Sequence, residues 1–287
     1  MCALGAPESR LATVKFVEDV IDVHTHLHPP RLFAAIRRWF AERSDWVLEH
    51  PTEPKAVAAI LRGHGIERFA FCSYAHKPGI ASQLNAWLLE TARELGPGAI
   101  PLATVHPADG DPGGDARAAL AGGCAGLKVH EDVQRVRLDD DQLAPALAAV
   151  AAADGFVLVH VGPIPWSPAT GGPERVARVL ERHPRLRVVV AHFGVPEHER
   201  YVALAEREPR LFLDTTMIFP PHSPMHVPVD ASLVERIASQ VVLGTDFPNI
   251  PYPYGDEAHA LRRLGLRDST LRAIFTENAR RLAPAFA

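Results

Sequence analysis

The chain has 287 residues, 47% of them apolar and 22% charged, with a formal net charge of −4 and a pI near 6.4; this balance excludes a disordered or fibrous chain. Lys and Arg are scattered rather than gathered in a stripe, which argues against nucleic acid and leaves a small-molecule substrate as the expected partner. Cys2, Cys72 and Cys124 are odd in number and far apart, the opening MCALGAPESR has no leader pattern and no apolar run reaches bilayer length, so a cytoplasmic protein without disulfides or membrane spans is expected.

After an N-terminal extension over 1–15, the first β-rich apolar run covers 20–26 and is followed by helical patterns over 31–43 and 53–62. Seven further runs follow at 68–73, 100–106, 124–130, 156–161, 187–192, 211–215 and 241–246, separated or closed by helical patterns at 81–95, 115–121, 139–153, 173–183, 196–208, 231–239 and 268–282. Pro173 and Pro196 suit first helical turns, Gly155 follows a helix, and Asp268 with Ser269 can cap the last one. The runs FVLVH, VVVAH and VVLGTD are almost continuously apolar, as strands of a parallel sheet covered on both faces must be. Strict alternation of strand and helix allows a closed barrel or an open doubly wound sheet. A nucleotide-binding open sheet needs a glycine-rich loop after its first strand, whereas this first strand ends in HTH. A single (β/α)8 barrel over the whole chain is therefore expected, with no second domain.

The fifteen histidines are uneven, and several close strand runs. His24 and His26 lie two apart, so both side chains face one side of the strand, here the barrel interior. His160, His192 and Asp246 end the fifth, sixth and eighth runs. Imidazoles with one carboxylate are the usual donors for Zn²⁺ or a similar divalent ion, and all strand C-termini of a barrel meet on one face. Spacing supplies this cluster but not the role of each member.

DVHTH (22–26), VHVG (159–162), AHFG (191–194), GTDFP (244–248) and ENARRL (277–282) occur in this order along nearly the whole chain. Together they resemble the amidohydrolase superfamily, and within it the amidohydrolase-related group of decarboxylases, lactonases and hydratases. The resemblance implies that His24, His26, His160 and Asp246 hold a metal while His192 acts as acid or base beside it. Asp246 is then the best acceptor for a proton of attacking water, with His192 serving the leaving group or polarising the electrophile.

The fourth run, GLKVHED, places Lys128 and His130 two apart and on one side. It is similar to the strand-four motif of urease, where the lysine is carbamylated and bridges two metals and the histidine contacts substrate. Lys128 is accordingly a metal-site candidate and His130 a catalytic one. One ion, expected to be Zn²⁺ from the ligand type, is preferred to two; an unmodified Lys128 would instead bind a substrate carboxylate. His28 precedes Pro29 and Pro30 and is read as a loop residue, a spectator or substrate contact. Tyr74, His76 and His106 follow the second and third strands, where they are candidates to line the pocket, but each is read first as a solvated loop residue; Cys72 is read as a small core residue. The Pro-rich segments 163–172 and 216–229 are expected to shape a substrate with an apolar or planar part.

The leading functional reading is hydrolysis of an ester, lactone or amide bond by metal-activated water. Its rival in the same fold is a non-oxidative decarboxylase or hydratase acting on an unsaturated or aromatic acid. A barrel reduced to a binding subunit would show a broken ligand set, and here each position is filled. A serine-hydrolase elbow and a phosphate loop are both lacking from the sequence. Homo-oligomerisation is left open.

Overall fold

The computed structural model describes residues 19–161 and 171–287. The expected extension over 1–15, and all but the last two residues of the 163–172 segment, lie outside the described residues. Eight parallel strands follow one another in sheet order: β1 (Ile21–His26), β2 (Arg68–Cys72), β3 (Ala99–Ala103), β4 (Gly126–His130), β5 (Phe156–His160), β6 (Arg187–Val190), β7 (Leu211–Asp214) and β8 (Val241–Val242). Backbone bonds from Val23 N to Leu243 O (2.9 Å) and from His26 N to Phe247 O (2.7 Å) bring the eighth strand back to the first, so the sheet is a (β/α)8 barrel as the alternation predicts.

The helices are α1 (Pro30–Arg43), α2 (Pro54–Gly63), α3 (Ala81–Leu95), α4 (Pro112–Ala121), α5 (Glu131–Gln134), α6 (Ala144–Ala152), α7 (Gly172–Arg182), α8 (His198–Ala205), α9 (Ala231–Arg236), α10 (Asp256–Arg263), α11 (Asp268–Arg272) and α12 (Asn278–Arg280). Pro173 sits in the first turn of α7 as expected, whereas Pro196 precedes α8, whose N-cap is Glu197. Asp268 is a first-turn acid of α11 rather than its cap, and the predicted helix 268–282 is interrupted by a π-turn over Ala273–Glu277. Helices α5 and α10 have no counterpart among the predicted elements. None of the described helices is long and apolar enough to cross a membrane.

Strand alternation divides the core in two. Ile21, Val23, Ala70, Leu102, Phe156, Leu158, Val189 and Phe212 fill the barrel above Leu282 and Phe286, while Phe69, Phe71, Leu127, Val129, Val157, Val159 and Val188 pack outward against the helices. His160 has the parity of Phe156 and Leu158, and Lys128 and His130 that of Gly126, so these side chains face inward. β1 needs a correction to simple alternation. Its register with β2 shifts between Asp22 and Thr25, a bulge of the kind that re-aims side chains beside active sites. The shift lets Val23 join the inner core while His24 and His26 still point inward at the C-terminal rim.

Candidate metal centre and active-site pocket

His24, His26, Lys128, His130, His160, His192 and Asp246 line one cavity at the C-terminal end of the strands. Every site candidate read from the sequence is thus brought to one place, and the distances among them are short. His24 Nε2 lies 3.1 Å from His26 Nε2 and 3.4 Å from Asp246 Oδ1, and Asp246 Oδ1 is 2.6 Å from His26 Nε2. Lys128 Nζ is 2.9 Å from His24 Nε2. His130 and His160 are paired directly across β4 and β5, which stacks their rings at 4.2 Å and 8°.

Hydrogen bonding behind the rings decides which nitrogens face the cavity. His24 Nδ1 donates to Asp214 Oδ2 (2.8 Å), which leaves the lone pair on Nε2. His160 Nδ1 meets His192 Nε2 at 3.0 Å, and His160 Nε2 is buried without a partner. His192 Nδ1 is turned to the carbonyl of Thr216 (3.3 Å). The second oxygen of Asp214 accepts from the amides of His192 (2.8 Å) and Thr216 (3.1 Å). Asp214 therefore orients both a first-strand imidazole and the sixth-strand turn, a part the sequence reading passed over although LFLD also ends a strand in a carboxylate. Asp22 ties the other side, accepting from His24 N (3.1 Å), Thr245 Oγ1 (2.6 Å) and Tyr254 Oη (3.2 Å). Gly244 makes room beneath: a Cβ there would stand 2.9 Å from His24 Cβ and 3.0 Å from Asp214 Cβ.

Burial lowers the affinity of His24, His26, His130 and His160 for a proton, in His24, His130 and His160 to well below the usual histidine value. Burial thus favours the neutral imidazole, the form that ligates. At Asp246 burial acts upward, but the imidazoles of His26 and His24 outweigh it and hold the carboxyl far below the usual carboxylate range. Burial pushes Asp22 up to about 7 against its three hydrogen bonds. A divalent cation fits this set on structural grounds. His24 Nε2, His26 Nε2 and a carboxylate oxygen converge within 3.4 Å, and an unpartnered buried imidazole nitrogen stands at the same cavity. Nitrogen and oxygen donors packed this closely need positive charge between them, which a divalent cation would supply in place of protons.

His24 and His26 also form a compact group with Cys72. Its Sγ donates to Thr25 O (3.3 Å) and touches His26 Nδ1 (3.5 Å), and burial pushes the thiol up to about 12. It stays protonated and serves as a core neighbour of His26, as read from the sequence.

The surroundings correct several rim assignments. Tyr74 lines the cavity beside His26 and His130 instead of sitting in a solvated loop. His28 does leave the strand, yet it is fully buried, bonded through Nδ1 to Ser73 Oγ (2.8 Å) and packed edge-on against Phe33 and Tyr74. His106 is buried too and accepts from the Ala108 amide (3.1 Å), whereas His76 is exposed as expected. Met217 and Met225 from the 216–229 segment form part of the wall, joined by Phe40 and Trp46, whose rings stack at 5.5 Å and 15°. Those two aromatics were not singled out in the sequence, because their place depends on how α1 lies across the barrel mouth.

The sequence matches the amidohydrolase family over residues 21–284. No curated protein matches it. Among solved structures, an uncharacterized TIM-barrel protein of Bordetella bronchiseptica superposes with a TM-score of 0.68 at 21% identity, over 92% of this chain and 98% of that one. A 5-carboxyvanillate decarboxylase of Novosphingobium aromaticivorans, complexed with manganese and 4-hydroxy-3-methoxy-5-nitrobenzoic acid, gives 0.67 at 15% identity over 92% and 96% of the chains. A probable 2-pyrone-4,6-dicarboxylic acid hydrolase of Acinetobacter baumannii gives 0.62 at 14% over 92% and 98%. At these identities the superpositions carry the fold.

Proposed function

The chain belongs to the amidohydrolase family of enzymes, and we propose that within it this protein is a divalent-metal hydrolase of a neutral ester, lactone or amide with an apolar body. His24, His26, His160 and Asp246 would hold the cation, with Zn²⁺ and Mn²⁺ both suited to such donors. When bound it supplies Lewis acidity, polarising a carbonyl and acidifying water.

The observation that carries the hydrolytic reading is the position of Lys128. Lys128 is 1% exposed, lines the cavity within the ring of ligand candidates, and holds its Nζ 2.9 Å from His24 Nε2. An ammonium at that distance and a divalent cation on the same imidazole repel each other, since charges so close in a buried site interact by several kcal/mol. The form of Lys128 that suits a cation is the carbamate, an anionic ligand. Among the described residues the cavity wall beyond the ring is Phe40, Trp46, Tyr74, Met217, Met225 and Asn249, which carries no charge and favours an uncharged substrate face. Asp246 then accepts a proton from the attacking water, and His192, its Nδ1 held by the Thr216 carbonyl and its Nε2 3.0 Å from His160 Nδ1, stands beside it as the acid or base for the leaving group. His130, stacked on His160 with its Nδ1 unpartnered, contacts the substrate.

A decarboxylase reading is favoured by one feature, that an unmodified Lys128 could pair with a substrate carboxylate. Metal-loaded enzyme assayed against aryl esters and lactones, and in parallel against hydroxylated aromatic acids, separates the two. Acid release supports the hydrolase; carbon dioxide release without it would replace that reading.

A further inference from the structure

Four non-glycine residues at the C-terminal rim hold left-handed backbone: His192 (φ 57°), Phe193 (φ 52°), Met217 (φ 63°) and Asp246 (φ 64°). Bulky side chains rarely adopt this conformation, and where they do the surrounding structure has to impose it, most often at functional sites. His192 and Asp246 are already site candidates. Met217 is fully buried, lines the same cavity and carries no ionisable or ligating group of the metal set.

What imposes its conformation is visible. The Met217 amide donates to Glu257 Oε2 (3.0 Å), which also accepts from Tyr252 Oη (3.2 Å). Glu257 stands in the first turn of α10, is 2% exposed, and burial drives its carboxyl well above the usual range. Two successive amides after β7 are thus held by two different buried carboxyl groups: Thr216 by Asp214, which also orients His24, and Met217 by Glu257, which touches none of the ligand candidates. A connection that merely crossed from β7 to α9 could leave these amides to water. This one fixes a thioether against a cavity of about 50 Å³.

We propose that Met217 is a specificity-determining residue and Glu257 its positioning residue, together setting the size of apolar group the site admits beside the cleaved bond. The proposal rests on the metal-hydrolase reading above. The geometry selects substrates with a small or flat apolar group there and turns away branched ones.

The probe is a series of benzohydroxamic acids, unsubstituted to para-tert-butyl, bound to metal-loaded protein and measured by calorimetry, with metal content determined separately. Wild type is expected to prefer the unsubstituted member. Met217→Gly should shift the tert-butyl to unsubstituted affinity ratio by tenfold or more, on the order of what a few methylenes are worth in a pocket. Met217→Leu and Glu257→Gln should keep the wild-type ratio, because volume and acceptor are retained, and Glu257→Leu should move towards the glycine variant. Met217→Gly should also melt above Met217→Ala, since only glycine is at ease at this φ. An unchanged ratio in metal-loaded Met217→Gly, or an alanine variant that melts higher, would overturn the inference alone. Protein that takes up no metal would remove the functional reading and the substrate preference with it.

Discussion

Replacing Asp214 by Asn tests the support beneath the metal centre. Asp214 offers acceptors only, one oxygen to His24 Nδ1 at 2.8 Å and the other to the amides of His192 and Thr216 at 2.8 and 3.1 Å. Asn at this place must turn its NH₂ either towards His24 or towards the two backbone donors. Turned to His24, it donates to Nδ1 and forces the imidazole proton onto Nε2, the atom that faces His26 and Asp246. Losing the partner that fixes a ligand's tautomer typically weakens metal binding by about 10- to 100-fold, or roughly 1.4–2.7 kcal/mol. Turned the other way, it leaves two buried amides facing a donor, which costs about 1–3 kcal/mol of fold stability. The expected outcome is metal affinity at least tenfold weaker by competition with a chelator, or, in the second orientation, a melting temperature lower by roughly 2–8 °C. Wild-type affinity together with a wild-type melting point would refute the assignment of Asp214 as the residue that orients His24.

Metal content should separate the states of Lys128: two ions per chain falling in Lys128→Ala marks a bridging carbamate, whereas one ion unaffected by the change removes Lys128 from the ligand set. Glu257 gives a pH signature. Its carboxyl is raised in the folded chain, so stability is fully present below the unfolded value near 4.5 and is lost as pH climbs towards the folded one. The melting temperature of Glu257→Gln relative to wild type should therefore rise between pH 4.5 and 7, and a difference independent of pH would contradict a protonated Glu257. The buried pair of Arg175 and Glu131, 2.7 Å apart and both about 5% exposed, links the start of α7 to the exit of β4. Arg175→Met should cost about 3–5 kcal/mol in chemical denaturation, with much of the loss recovered by adding Glu131→Leu; a single-variant cost below about 1 kcal/mol would show that the pair is solvated.

How much of this was legible before folding follows from where each residue's partner lies. His24 and His26, Lys128 and His130 announce themselves by spacing, because strand periodicity alone puts residues two apart on one face. Even there the sequence does not reveal the bulge between Asp22 and Thr25 that lets both His24 and Val23 turn inward. Helix α10 escaped because Asp256–Arg263 reads DEAHALRR, mostly polar, and its apolar positions are recognisable only against the strands they cover. Tyr74 and His28 were placed by their loops, yet burial is decided by Phe33 of α1 and by the neighbouring strands.

Asp214 makes the same point for chemistry. It stands 190 residues from the imidazole it orients, and the two meet only because the barrel closes β8 onto β1. Ligand candidates can be read locally because each needs only its own strand to aim it. The groups that fix a ligand's tautomer, and those that fix a specificity residue's backbone as Glu257 does for Met217, need a second strand or helix brought alongside. In a barrel of this kind a carboxylate ending an inward strand is therefore better weighed as a partner of histidines on other strands than by the motif around it, and by that rule LFLD would have been singled out.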